Sequence, residues 1–178
     1  MSGVTYILGR SLYIALTNRC CSTSLIKSRG PGFVVPAASG FTPLPQGFEP
    51  TSDDVLSAVS QAYEVAPPEG FDAIVFAGLG EPLLRLRALE DTARALVDKY
   101  PVPLRVNSNG LVAGSSAQDV ATRLNGSGIT SPVLQLALRW SARRWLHLKS
   151  ILLPFKVVQS SWAQPFVLAR GSRSFACI

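Results

Sequence analysis

Three short segments concentrate the residues whose types and spacing could do chemistry: Thr17-Asn18-Arg19-Cys20, Gly78-Leu79-Gly80-Glu81-Pro82 and Asn107-Ser108-Asn109-Gly110. Each follows an apolar run, so each stands where a β-strand would end. In open or barrelled α/β sheets, ligands bind at the carboxyl ends of the strands. Three polar or glycine-bearing ends in succession therefore predict one site face. Each segment also has a plainer explanation. Cys20-Cys21 can be ordinary buried thiols. Gly78 to Pro82 can be a strand-to-helix turn in which Gly supplies positive φ and Pro starts the next helix. Asn109-Gly110 can be a simple Asn-Gly turn.

The elements that must position these residues are legible from periodicity and punctuation. Val4 to Leu8 and Ser11 to Leu16 are β-prone runs, and Gly9-Arg10 between them suits a two-residue hairpin turn. The same stretch lacks acids, as an organellar presequence would, but its aromatic and β-branched residues favour strands over an Arg- and Ser-rich amphipathic helix. Residues 28–50, rich in Gly, Pro and Ser, predict a long loop. Thr51 or Ser52 can cap a helix whose Asp53 and Asp54 suit its first turn and whose Val55, Leu56, Val59 and Tyr63 recur at helical spacing. Ala73 to Ala77 is a continuous apolar run, as in a strand buried on both faces of a parallel sheet. A helix from about Arg87 to Tyr100, a strand at Leu104 to Asn107 and a helix at Ala117 to Leu124 come next. This alternation implies right-handed crossovers and a parallel α/β layer.

After about residue 130 the character changes. Residues 131–178 contain no Asp or Glu, all three Trp (Trp140, Trp145, Trp162) and the single His147. Leu134, Leu138 and Trp145 form a weak helical stripe, with Arg139, Arg143 and Arg144 off it. His147, with no carboxylate after Asp119, is expected to be structural or solvent-exposed. The net charge of +6 is blocky: residues 1–48 sum to +4, 49–119 to −6 and 120–178 to +8. Without the tail the positive total disappears, so it says little about an anionic partner. Hydrophobic residues make up 47% and charged residues 16%, below the roughly 25% charged that is usual, which excludes a disordered polyelectrolyte. No stretch of about 18 residues is apolar enough and free enough of charge and turn signals to span a bilayer. Three Cys, two adjacent, make no disulfide framework. A reducing compartment, cytoplasmic or otherwise, is the expectation, with organellar targeting left open.

Taken together, Leu12 to Cys20, Arg29-Gly30-Pro31-Gly32-Phe33, Phe76 to Pro82 and Asn107 to Gly110 resemble the radical S-adenosylmethionine superfamily, in the layout of its TatD-associated branch. The likeness covers about residues 4–130. It implies an α/β fold, a partial parallel (β/α) barrel of the radical S-adenosylmethionine type with about half of it present. Residues 1–130 would form this core domain, and 131–178 an irregular, basic, acid-free tail. It further implies a 4Fe–4S cluster that reductively cleaves S-adenosylmethionine to a 5′-deoxyadenosyl radical. In the family, three thiolates of a Cys-x3-Cys-x2-Cys loop hold the cluster, thiolate being the ligand that suits it. Gly78, Gly80, Glu81 and Pro82 match the methionyl-binding element, where glycine permits close backbone approach. Asn107 and Asn109 match a third strand end facing the cavity. Cys20 matches the first cluster ligand, but Ser24 and Lys27 occupy the other two positions. A serine alkoxide is a poor substitute and a protonated lysine cannot ligate.

The resemblance therefore implies a radical enzyme by ancestry whose catalysis is impaired in this chain. S-Adenosylmethionine or a related small molecule is its expected partner. Two readings of other classes stand beside it. One is a non-catalytic binding or scaffold protein that kept the fold and lost the cluster. The other is a basic protein that associates with nucleic acid or membrane through the Arg- and Trp-containing tail, against which the weak amphipathicity of that tail counts. A shifted reading frame or retained intron would equally produce the abrupt loss of acids and alternation.

Overall fold

The chain reverses direction at Gly9, whose φ of +59° lies in the left-handed region that glycine enters without a Cβ penalty. The computed structural model describes residues 3–20, 34–110 and 115–134. In it, Gly9-Arg10 joins β1 (Thr5–Leu8) to β2 (Ser11–Ile14) as an antiparallel hairpin, with Leu8 opposite Ser11. The expected hairpin and its turn are both present. The chain continues through α1 (Ser52–Glu64), β3 (Ala73–Phe76), α2 (Leu86–Lys99), β4 (Leu104–Ser108), α3 (Ala117–Gly126) and β5 (Ile129–Leu134).

Local chemistry explains the helix starts. Thr51 is the N-cap of α1, its hydroxyl accepting from Asp54 N–H at 3.2 Å while the Asp54 carboxylate accepts from Thr51 N–H at 2.9 Å. This reciprocal box satisfies two of the N–H groups that a helix start leaves unpaired. Ser116 caps α3 with its hydroxyl, which accepts from Asp119 N–H at 3.1 Å and donates to the Asp119 carboxylate at 2.6 Å. Pro82 opens a short 3-10 turn (Pro82–Arg85) that leads into α2, so the helix proper begins four residues after the proline.

The sheet order is β1-β2-β3-β4-β5, antiparallel between the first two strands and parallel thereafter. The three helices lie in the three parallel connections. Val59 of α1, Leu89 of α2 and Leu124 of α3 share one apolar cluster with Ile14, Phe76 and Val106, so all three helices cover the same face of the sheet. Each fully buried side chain of this kind contributes about 1.5–3 kcal/mol. β3 is buried along its whole length. Its Ile74 and Phe76 face the helices, and its Ala73 and Val75, with Ala77 just beyond its end, join Tyr13 on the other face, as the continuous apolar run predicts. Among the described residues the fold is α/β, with an open, mostly parallel five-stranded sheet. Among the described residues no helix is long and apolar enough to cross a membrane.

The sheet departs from expectation at its far edge. Ile129–Leu134 is a fifth strand, parallel to β4, so the alternation of helix and strand runs across residue 130. Leu134 ends a strand and does not open a helical stripe. Thr-Ser-Pro within this segment hides it from pattern reasoning. The pairing with β4 shifts register between Leu104 and Arg105, where Ile129 and Ser131 are their partners, as at a β-bulge. Pro132, which has no N–H to give, lies in the strand that ends the order among the described residues, where a proline costs the ladder least. Residues 135–178, with the three Trp, His147 and Cys177, lie outside the described residues, as do Cys21, Ser24, Lys27 and Arg29 to Phe33.

Candidate functional site

Parallel pairing brings the ends of β2, β3 and β4 side by side, because Ile14, Phe76 and Val106 are partners across the three strands. The segments leaving these three strand ends therefore meet at one edge of the sheet. This is the edge at which ligands bind in such folds.

The residues after β2 are largely occupied by the protein itself. Thr17 is buried and its hydroxyl donates to Glu49 Oε1 at 2.7 Å. Arg19 reaches the same carboxylate through Nε at 2.8 Å, and Arg85 joins from the other side at 3.1 Å. Burial pushes the Glu49 carboxyl upward, but Thr17, Arg19 and Arg85 together outweigh it and hold the group below its ordinary value. Asn18 makes a two-way pairing with Leu44, donating from Nδ2 to its carbonyl at 2.8 Å and accepting its N–H at 3.2 Å. These bonds fasten the Gly- and Pro-rich segment against the strand end. The part of the expected loop from residue 34 onward is thus a pinned structure, with a 3-10 turn at Ala37–Ser39.

Gly78 and Gly80 come after β3, and neither is among the glycines of positive φ. Their lack of a side chain is a matter of space. A Cβ on Gly80 would fall on the Thr17 carbonyl oxygen and lie 2.5 Å from that of Arg19, and one on Gly78 would lie 2.9 Å from Ala15 Cβ. The Gly-x-Gly segment packs its backbone onto the backbone of the β2 end, a contact clinched by Glu81 N–H donating to the Arg19 carbonyl at 2.8 Å. The turn after β3 therefore uses its glycines for close packing and not for the positive φ expected of them.

Glu81 is 2% exposed, and its carboxylate faces inward. Oε1 accepts from Ser108 Oγ at 2.7 Å and from Leu83 N–H at 3.0 Å; Oε2 accepts from Asn109 N–H at 2.7 Å. Burial raises the carboxyl above its ordinary value, and the three donors pull it partly back. Pro82 is the first residue of the 3-10 turn, whose Leu83 N–H Glu81 caps. Asn109 is also buried, and its side-chain Nδ2 donates to Cys20 Sγ at 3.6 Å. Asn107 is half-buried on β4, on the face opposite Val106 because side chains alternate along a strand.

Three of the residues singled out in the sequence, Cys20, Glu81 and Asn109, therefore form one connected set, with Gly78 and Gly80 beneath it as packing and Asn107 on the open face of β4. Ser108, Glu49 and Arg85 belong to the same edge. Sequence reasoning did not single them out, although Ser108 lies between two flagged asparagines and Glu49 is the first acid of the chain.

The donor set does not suit a 4Fe–4S cluster. Three thiolates are needed, and the motif positions offer Cys20, Ser24 and Lys27. Cys20 Sγ instead receives the Asn109 amide. Among the described residues no three of His, Cys, Asp and Glu gather as a metal-holding group. Searched against protein-family models and against curated proteins, the chain matches none.

Proposed function

We propose that the chain is a half-barrel of the radical S-adenosylmethionine type that works as a ligand-binding domain without generating a radical, its ligand being S-adenosylmethionine or a related small molecule. The observation that carries this is the convergence of Cys20, Glu81 and Asn109 at the ends of three successive parallel strands. Such an edge is where open α/β sheets hold small ligands. The same residues argue against radical chemistry here, because one thiolate cannot hold a cluster that requires three.

Weak binding is the consequence of how the site is built. The Gly-x-Gly backbone is packed against the end of β2 and the Glu81 carboxylate already bonds within the protein, so fewer groups remain to hold a methionyl moiety. A dissociation constant of about 0.1–1 mM, or roughly −4 to −5.5 kcal/mol, is expected. Calorimetric titration of the purified chain with S-adenosylmethionine should give saturable heat that is lost in Asn109→Ala. Anaerobic incubation with iron and sulfide should leave the protein colourless and free of both. A stoichiometric cluster would overturn the cluster-free part of the proposal. Flat titration would overturn the binding part and leave a scaffold, the reading favoured by the internal satisfaction of Glu81.

A further inference from the structure

Glu81 is a fully buried carboxylate that no cation among the described residues pairs with. The charged side chains on the neighbouring elements are directed elsewhere. Arg19 at the end of β2 and Arg85 in the turn after Glu81 both bind Glu49, and Arg105 on β4 is exposed. Cys20 faces the Asn109 side chain. Burying an uncompensated ion is costly, and the cost is met here by three neutral donors, Leu83 N–H, Ser108 O–H and Asn109 N–H. Removal of the charge by a proton is therefore the change this edge is most sensitive to.

The two oxygens respond differently to a proton. Ser108 Oγ already accepts from Gly110 N–H at 2.9 Å, and its hydroxyl can turn to accept a proton carried on Oε1. Oε2 keeps a second lone pair clear of Asn109 N–H, but its one hydrogen-bond partner among the described residues is that N–H, which cannot accept a proton. Oε1 is accordingly where the proton goes. Asn109 N–H is then left on a neutral carbonyl oxygen, and a hydrogen bond to an ionised acceptor is roughly twice as strong as a neutral one.

We propose that Glu81 is a positioning residue acting as a proton-linked clasp: ionised, it draws the Asn109 backbone in and so holds the Asn109 side chain against Cys20, and protonated, it slackens that hold. As a control on ligand access the clasp rests on the binding function proposed above; as a proton-linked movement it does not. Because burial dominates the Glu81 environment, slackening should begin at a pH above the usual glutamate range.

The test is an NMR titration of the full chain, following the Glu81 side-chain carboxyl carbon and the amides of Leu83, Ser108 and Asn109. All four signals should share one midpoint above the usual glutamate range, with the Asn109 amide proton moving upfield on acidification. Glu81→Gln should abolish the shared titration, and Ser108→Ala, which removes a donor to the ionised form, should move the midpoint further up. A stationary Asn109 amide, a midpoint within or below the ordinary range, unfolding before Glu81 takes up its proton, or persistence of the titration in Glu81→Gln would each overturn the clasp. S-Adenosylmethionine binding is measured separately by calorimetry. Flat calorimetry beside a shared NMR titration removes the binding function and leaves the clasp standing.

Discussion

Thr17 and Glu49, 32 positions apart, meet in a hydrogen bond of 2.7 Å between the threonine hydroxyl and Glu49 Oε1. The same carboxylate takes Arg19 and Arg85, so one side chain fastens the Gly- and Pro-rich segment, the end of β2 and the turn leading to α2. Glu49→Ala would leave the buried Thr17 hydroxyl without its acceptor, and should cost about 1–2 kcal/mol in urea unfolding. Its pH dependence has a definite sign. A carboxyl held below its ordinary value contributes stability above that value and loses it as pH falls through the folded-state value. The difference between the native chain and Glu49→Gln should therefore shrink in acid, and a constant difference would count against the network.

Gly80 is expected to be the least replaceable glycine of the site edge. An added methyl there meets the Thr17 to Arg19 backbone, with Arg19 O at 2.5 Å and Asn18 C at 2.8 Å, and backbone cannot rotate out of the way. Gly80→Ala should destabilise by about 3 kcal/mol or leave little folded protein. Gly126, the last residue of α3, is the control, since nothing lies within 4 Å of its added Cβ. Gly126→Ala should be neutral or stabilising by about 0.5–1 kcal/mol. Equal effects of the two substitutions in thermal unfolding would contradict the packing found here.

Glu90 of α2 and Arg123 of α3 form a two-point pair, with Nε to Oε1 at 2.7 Å and Nη2 to Oε2 at 2.6 Å. Glu90 is buried, and Arg123 holds its carboxyl below the ordinary value against the opposing pull of burial. Arg123→Ala would strand a buried charge. It should lower the urea midpoint more than Arg94→Ala, which breaks an exposed pair with Asp91 at 3.3 Å. The excess should fade as pH falls and Glu90 takes up a proton in both chains.

Glu81 should show the opposite pH sign. A carboxyl whose folded-state value is raised contributes most below its unfolded value, and the contribution is lost as pH rises through the folded one. Relative to Glu81→Gln, the native chain should be more stable at about pH 4 than at about pH 8. Urea unfolding at the two values decides it, and a native-chain advantage that grows toward pH 8 would mark a lowered carboxyl like that of Glu49 and contradict the burial-raised one.

The alternation of apolar runs with capped helical stripes was enough, read along the chain, to predict the hairpin at Gly9-Arg10, a start of α1 at Thr51 or Ser52, the doubly buried β3 and the layering of helix on parallel sheet. These features depend on residues a few positions apart, through turn conformation, capping and periodicity, and such signals survive in one dimension. β5 was not legible, because Thr-Ser-Pro carries no strand pattern and its hydrogen-bond partners come from β4. At the site, the sequence alone determined which side chains could stand at three strand ends and that only one thiol occupies a ligand position of the resembled motif. Tertiary structure decided what those side chains touch. Gly80 is glycine because the Thr17 to Arg19 backbone lies against it, Glu81 turns inward to Ser108 and Asn109, and Thr17 meets Glu49. Those partners lie tens of residues away along the chain. They become neighbours only when parallel pairing aligns the strand ends, which is why no local pattern announces them.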